Sequence, residues 1–312
     1  QAEEIVREVA QPPVEESLAV IENEMIQLQL TSIGGGIKTA TLIATDRKDR
    51  IRYPELNEVG SPPVILDFTN SPALSYEGIA GMGATDTFNL MVSDDGKTAI
   101  IAKELNDLVF ERTITLGDGY LLDINDRFIA AAAQPDLLPA FRILTGHMQN
   151  PADMKAQKGL SLLGVDSFTP AGGINFWGRK LNKLFKQADK PEMLDTVPDD
   201  MRGVVVDWVA AKNKFFTQIL RPDEPMATMA ILSTRDLNEK GNVPLDIAAA
   251  LSFKPVQIAA GDALTLDYTY YIGRKQYSIL KAAGNNMEGV MEFETTGTFS
   301  WMNWLMEPSR KA

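Results

Sequence analysis

From Ile26 to Tyr270 the chain repeatedly alternates apolar and polar residues with a period of two, and glycine-containing breaks separate the runs. Nothing else in the sequence constrains the fold as strongly. Ile26, Leu28 and Leu30 alternate with Gln27, Gln29 and Thr31, which puts one set on each side of an extended strand. Gly34-Gly35-Gly36 interrupts, and Ile37 to Ile43 resumes in extended form, so a strand–turn–strand is expected. Phe88 to Val92 and Ala99 to Ala102 flank Ser93-Asp94-Asp95-Gly96-Lys97, a turn whose glycine supplies a positive φ. Phe110 to Leu116 and Tyr120 to Ile124 flank Gly117-Asp118-Gly119. Leu264, Leu266, Tyr268 and Tyr270 alternate with Thr265, Asp267 and Thr269. A helix would scatter such a pattern around its circumference. Short strands with turn signals about every ten residues predict an all-β fold, a sandwich or a barrel.

Size permits that reading. The 312 residues are 45% hydrophobic, enough for a large core, and all-β folds of this kind extend well past the usual domain length. No fixed-period repeat is present, so the main body reads as one large β domain. The longest apolar run, Phe128 to Ala133, is far shorter than the ~18–20 residues a membrane-spanning helix needs. A net charge of −12 argues against nucleic acid as a partner, because phosphate binding needs a basic face. The absence of cysteine removes thiol nucleophiles, thiolate metal sites and disulfides. One histidine, His147, leaves little for zinc or imidazole chemistry, and no cofactor or metal is expected.

Candidate sites are few. Gly34 to Gly36 lacks the G-x-x-x-x-G-K-[ST] spacing and precedes a strand, so it reads as a tight turn rather than a phosphate cradle. Asp94-Asp95-Gly96 and Asp123-Ile124-Asn125-Asp126 look like calcium-loop fragments without the frame, and both read as turns with local side-chain-to-backbone bonds. His147, in Thr145-Gly146-His147-Met148, reads as a loop residue after a strand. Trp177, Leu181, Leu184 and Phe185 have helical spacing, with Arg179, Lys180, Lys183 and Lys186 between them. That basic helix reverses the sign of the protein. It reads either as a helix covering a sheet edge or as an attachment to anionic lipid or an acidic partner. Arg274 to Ala283 is expected to be a second helix, stopped by Gly284-Asn285-Asn286. Trp301, Trp304 and Leu305, at i, i+3 and i+4 before Pro308, predict a third, whose indole rings suit a membrane surface. Gln1 to Ser17, rich in glutamate with two prolines, reads as a linker, and a chain opening on Gln is expected to be a processed piece.

Trp208 to Pro222 reads as a hairpin with large aromatics at the strand ends, a polar Lys212-Asn213-Lys214 turn and a stopping proline. The stretch also resembles the W-[VI]-A-x-x-x-x-[YF]-F-x-x-x-[LI]-x-P element of the periplasmic domain of YidC-family membrane protein insertases, with Trp208, Phe215, Phe216 and Pro222 in the named positions. Four further stretches agree in order. Thr31 through Leu42, with Gly34 and Gly35, resembles the T-x-x-GG-x-[IV]…L strand pair. Phe110-Glu111-Arg112 through Tyr120 resembles F-x-K-x-[FY], with Arg in place of Lys. Tyr271-Ile272-Gly273-Arg274-Lys275 resembles Y-x-G-x-K, and Gly297 to Pro308 resembles the approach to the second membrane helix. From about Gln149 to Asp200 no such pattern is found, which leaves partner contacts through that region open.

The resemblance implies a β-supersandwich of two large, mainly antiparallel sheets over residues 18–273, short C-terminal helices over 274–312, and an acidic linker over 1–17 following a first membrane helix. It implies a non-catalytic periplasmic domain of a Gram-negative inner-membrane insertase, acting as scaffold or partner-docking module. The implied partners are nascent inner-membrane proteins, Sec translocon subunits, and a lipid surface near Trp301, Trp304 and Leu305. The competing expectation is a carbohydrate-binding or mutarotase-like sandwich, with Tyr76, Trp177 or Tyr277 as sugar platforms.

Overall fold

The computed structural model describes residues 15–43, 64–132, 135–149, 163–237 and 244–292. Its largest element is a nine-stranded antiparallel sheet. In spatial order the strands are β14 (Gly173–Phe176), β13 (Gly164–Thr169), β16 (Trp208–Lys212), β17 (Phe216–Pro222), β21 (Ala263–Arg274), β9 (Leu121–Ala130), β8 (Leu108–Leu116), β7 (Thr98–Leu105) and β6 (Asn89–Val92). Facing it is a six-stranded sheet of β15 (Met193–Thr196), β18 (Thr228–Arg235), β19 (Pro244–Phe253), β11 (Phe141–Leu144) and β5 (Tyr76–Glu77), with β12 (Met148–Gln149) also on β19. A four-stranded sheet runs β1 (Leu18–Glu22), β2 (Ile26–Thr31), β3 (Gly36–Leu42) and β4 (Val64–Asp67). β10 (Asp136–Leu138) pairs with β20 (Val256–Ile258). The described helices are short: α1 (Leu181–Gln187) and α2 (Tyr277–Ala283).

The period-two reading survives in detail. In β8 and β9 alternate residues are buried, and the buried rows of the two sheets meet in one continuous core. Central strands depart from alternation because both faces are covered; β16 is buried at every position.

Gly34 and Gly35 take φ of +73° and +59° between β2 and β3, the tight turn expected of them. A Cβ on Gly35 would stand 2.9 Å from the Phe88 ring. The turn is tied to the core by Arg112, whose Nη1 donates to Gly35 O at 2.9 Å and to Leu74 O at 2.7 Å. The other guanidinium edge makes a bidentate pair with Asp126, Nε–Oδ1 and Nη2–Oδ2 both at 2.7 Å, and Tyr76 Oη donates to Asp126 Oδ2 at 2.6 Å. Both charged groups are fully buried, so every oxygen and N–H they satisfy removes a desolvation penalty. Burial, next to the Asp126 carboxylate, pushes the Tyr76 hydroxyl well above its ordinary range.

Four expectations need correction. Asp123 to Asp126 lie within β9, and Asp126 is this buried partner of Arg112, not a turn residue. Arg274 ends β21 and is buried; the helix starts only at Tyr277, because the strand pairing with β17 runs through Phe216↔Arg274. Lys212, read as part of the turn, is the last residue of β16; it and Asn213 are buried, and Lys214 is the turn's exposed residue. Glu16, in the stretch read as linker, pairs with Lys38 at 2.6 Å and accepts from Thr31 at 2.6 Å. The helix stop at Gly284 (φ +80°) and the Asp95 turn, which accepts from Lys97 N at 2.9 Å, are as expected.

Candidate functional site

One end of the nine-stranded sheet gathers most of the residues singled out by motif. β16 ends there at Lys212, β17 begins at Phe216, β13 begins at Gly164 and β21 ends at Arg274. The hairpin turn is set by Asn213, whose Oδ1 accepts from the backbone N–H of Phe215 and Phe216, both at 2.9 Å. Its Nδ2 donates to Gln149 O at 2.8 Å. Lys275 N donates to Phe215 O at 2.7 Å, carrying the chain from β21 across the turn. Gly273 lies under Tyr120, where a Cβ would stand 2.4 Å from the ring. Tyr271 Oη donates to Arg274 O at 2.5 Å and its ring packs edge-on against Tyr120. Pro222 ends β17 opposite Tyr268.

The C-terminal segment docks on this hairpin. Trp208 is buried, stacks on Phe168 at 5.8 Å and donates Nε1–H to Asn285 O at 2.8 Å. Leu280, Met287 and Val290 are all fully buried. The 3-10 turn Met287–Met291 fits so closely that a Cβ on Gly289 would overlap Ile174.

Beneath that turn lies a second buried charge cluster. The Lys212 ammonium contacts Asp166 Oδ2, donates to Val290 O at 3.1 Å and pairs with Glu292 Oε1 at 2.6 Å. Its three donors therefore serve one oxygen of the sandwich and two of the C-terminal segment. Phe176 lies 5.0 Å from the same ammonium. Asp166 is fully buried and its Oδ1 has no hydrogen-bond partner among the described residues. Burial pushes its carboxyl up to about 7, with Lys212 opposing and Glu292 assisting. Lys275 is lowered to about 8, by burial first and by the charge of Lys212 second. Asp166 and Lys275 are thus drawn toward neutral pH, and the cluster's chemistry is that of a fastening between two chain segments.

The basic helix starts beside it. Trp177, Leu181 and Phe185 are buried, so the helix covers the sandwich with its apolar side. Lys180 stands 4.5 Å over the Trp177 ring and 3.9 Å from Asp200. Lys183 and Lys186 are exposed. Arg179 falls in the 3-10 turn Gly178–Lys180, but its side chain lies outside the described residues, as do Trp301, Trp304 and Leu305. Of the three aromatics considered as sugar platforms, Tyr76 and Trp177 are buried and so cannot present a face, and Tyr277 is half-buried.

Sequence reasoning missed Asp166, Lys212, Lys275 and Glu292. A lysine sharing a strand face with Trp208 and Ala210 was a usable signal for Lys212; the acids carried none. It also missed that His147 has a carboxylate partner, with Nδ1 3.2 Å from Asp246 Oδ1. Burial works to raise the Asp246 carboxyl, but hydrogen bonds from His147 and Thr234 outweigh it and hold it low.

Comparison with known proteins gives a family and a fold. The family model for the YidC periplasmic domain matches residues 83–309. The membrane protein insertase YidC of Syntrophus aciditrophicus is 26% identical over 143 residues, 46% of this chain and 23% of that protein, so the match spans under a quarter of the relative. Among solved structures, a galactose mutarotase related enzyme from Lactobacillus acidophilus aligns with a TM-score of 0.51 at 10% identity, covering 82% of this chain and 97% of that one. That likeness shows the fold alone. YidC from Thermotoga maritima aligns at 11% identity and a TM-score of 0.35, covering 91% of this chain and 59% of that chain.

Proposed function

This chain belongs to the YidC periplasmic domain family, and on that footing we propose that it is the periplasmic part of a Gram-negative inner-membrane insertase, serving as a non-catalytic scaffold that docks and orients neighbouring segments. The observation that carries the scaffold reading is the fastening of residues 277–292 to the β16–β17 hairpin by Trp208 and Lys212. Such a mount would set the direction in which the chain leaves the sandwich. No helix of the described residues is long and apolar enough to cross a membrane. Insertion itself needs no bond chemistry; it is driven by transfer of apolar segments into lipid. The partners proposed are nascent inner-membrane proteins, with Sec translocon subunits as further candidates. Trp301, Trp304 and Leu305 are proposed to rest at the lipid surface.

The test is complementation. The full-length protein, produced in a Gram-negative strain depleted of its own insertase, should restore insertion of a short test membrane protein, read by protease protection. Failure of the well-expressed protein to restore insertion would sink the reading. The sugar-binding reading is favoured by one observation, the His147–Asp246 pair on a mutarotase-like fold. Aldose epimerisation that disappears in His147→Ala would establish it.

A further inference from the structure

Two surfaces far apart in sequence meet at the same corner of the sandwich. Gly164, the first residue of β13, is crowded on one side by Gly178 at the start of the basic helix and on the other by the Lys212 side chain; a Cβ there would meet both at 3.4 Å. Trp177 N–H bonds Val165 O at 2.9 Å, fixing the entry to the helix beside that position. Ile174, in the strand leading to the helix, is the side chain against Gly289 of the C-terminal turn. The helix and the docked C-terminal segment therefore share the end of the nine-stranded sheet at which the hairpin turn also lies.

We infer that this end of the sandwich faces an anionic phospholipid surface, with Lys183 and Lys186 of α1 and Lys214 of the hairpin turn as its contacts. The occupant follows from charge and from chain direction. The protein carries a net charge of −12, so its body is repelled by an anionic bilayer. Lys183, Lys186 and Lys214 are exposed and have no acidic partner among the described residues. Lys97 in the β6–β7 turn and Lys190 after α1 are exposed as well, whereas Lys212 is engaged by Asp166 and Glu292, and Lys281 by Glu288. Exposed acids are present too, Glu24, Asp94, Asp95 and Asp118 around the β6–β7 and β8–β9 turns and Asp189 and Glu192 after α1, so attraction is local to the three lysines rather than a field of the whole end. The twenty residues beyond Glu292 continue from this same corner and hold Trp301 and Trp304, residue types that favour the headgroup level. Basic side chains near headgroup phosphates gain from the negative surface potential, an effect that salt screens. The inference rests on the membrane-domain reading for its chain direction, but it is tested without any insertion assay.

The experiment is vesicle flotation of the 312-residue chain with vesicles rich in phosphatidylglycerol and with pure phosphatidylcholine, at low and at raised salt. The chain is expected to bind the anionic vesicles and to release as salt rises. K183E/K186E should weaken that binding about tenfold or more while leaving the melting temperature unchanged, since both side chains are exposed. The matched control is R127E/K254E, an equal charge change at exposed positions toward the other end of the sandwich. Equal loss in both pairs would show a net-charge effect and overturn the inference, as would binding that only W301S/W304S abolishes. Absence of any binding to anionic vesicles would overturn it too, while leaving insertion by the full-length protein to be judged separately.

Discussion

Among the described residues the sandwich contains two buried cation–carboxylate pairs, and they differ in how completely they are satisfied. Arg112 and Asp126, between the sheets, form a bidentate pair whose remaining capacity is taken up by Gly35 O, Leu74 O and Tyr76 Oη. The Asp126 charge and its hydrogen bonds raise the guanidinium further above its ordinary value, against the opposing effect of burial. Lys212 and Asp166, at the end of the same sheet, leave one carboxylate oxygen without a donor and share the cation with Glu292. The first pair leaves neither carboxylate oxygen without a donor. In the second, burial lifts the Asp166 carboxyl to about 7. Complete coordination makes a buried charge a rivet, and incomplete coordination leaves it responsive. The responsive one lies at the corner where the C-terminal segment is mounted.

Substitutions separate the two. Arg112→Ala leaves Asp126 buried without its cation and strands two carbonyls, so a loss at the upper end of about 3–5 kcal/mol or beyond is expected in chemical denaturation. A loss under about 1 kcal/mol would show that water reaches Asp126. Trp208→Ala or Phe216→Ala, each removing a buried aromatic from the hairpin, should cost roughly 3–5 kcal/mol. Unchanged stability in both would place these rings in solvent and point to binding. Gly273→Ala, which drives a methyl group into Tyr120, should cost about 1–3 kcal/mol, the range for overpacking.

Asp166 and Lys275, in the Lys212 cluster, predict a pH dependence of stability. Asp166 rises from 3.8 to about 7 on folding, so its protonated form is favoured by the fold and stability is lost as pH climbs from about 4 to 7. Lys275 falls from 10.5 to about 8, so stability returns between about 8 and 10.5. From these two groups the minimum lies between pH 7 and 8. Melting curves across pH should show that the fall is absent in Asp166→Asn and the recovery absent in Lys275→Met; identical profiles in all three would refute the cluster's titration. Smallest of all, the melting temperature should not move with EDTA or reductant. A shift of more than a few degrees with chelator would reveal a metal site.

The strands β2, β3, β6 to β9 and β21, the turns at Gly34-Gly35 and Gly96, and the β16–β17 hairpin were legible in the chain, because period-two burial and positive-φ glycine are local rules, whereas β13, β18 and β19 were not read. The family motifs were legible for the same reason: they mark ladder positions and turns. Legibility failed where a strand is covered on both faces. Lys212 and Asp126 both read as turn residues, since a polar letter in a buried strand resembles an interruption until its partner is known. A helix is expected from Arg274, but Arg274 still pairs with Phe216 in the ladder, so tertiary pairing overrules local propensity and α2 starts only at Tyr277.

By itself, then, the sequence determined the all-β class, the run of hairpins and the family, all of which depend on neighbours a few residues apart. Tertiary structure alone decided which charges are paired. Arg112 lies 77 residues from Gly35, Lys212 lies 80 from Glu292, and Gly164 sits between Gly178 at the start of the basic helix and the Lys212 side chain. No periodicity encodes such meetings. They arise when two sheets close face to face, and the desolvation that closure imposes is what makes each of those charges seek the partner it finds.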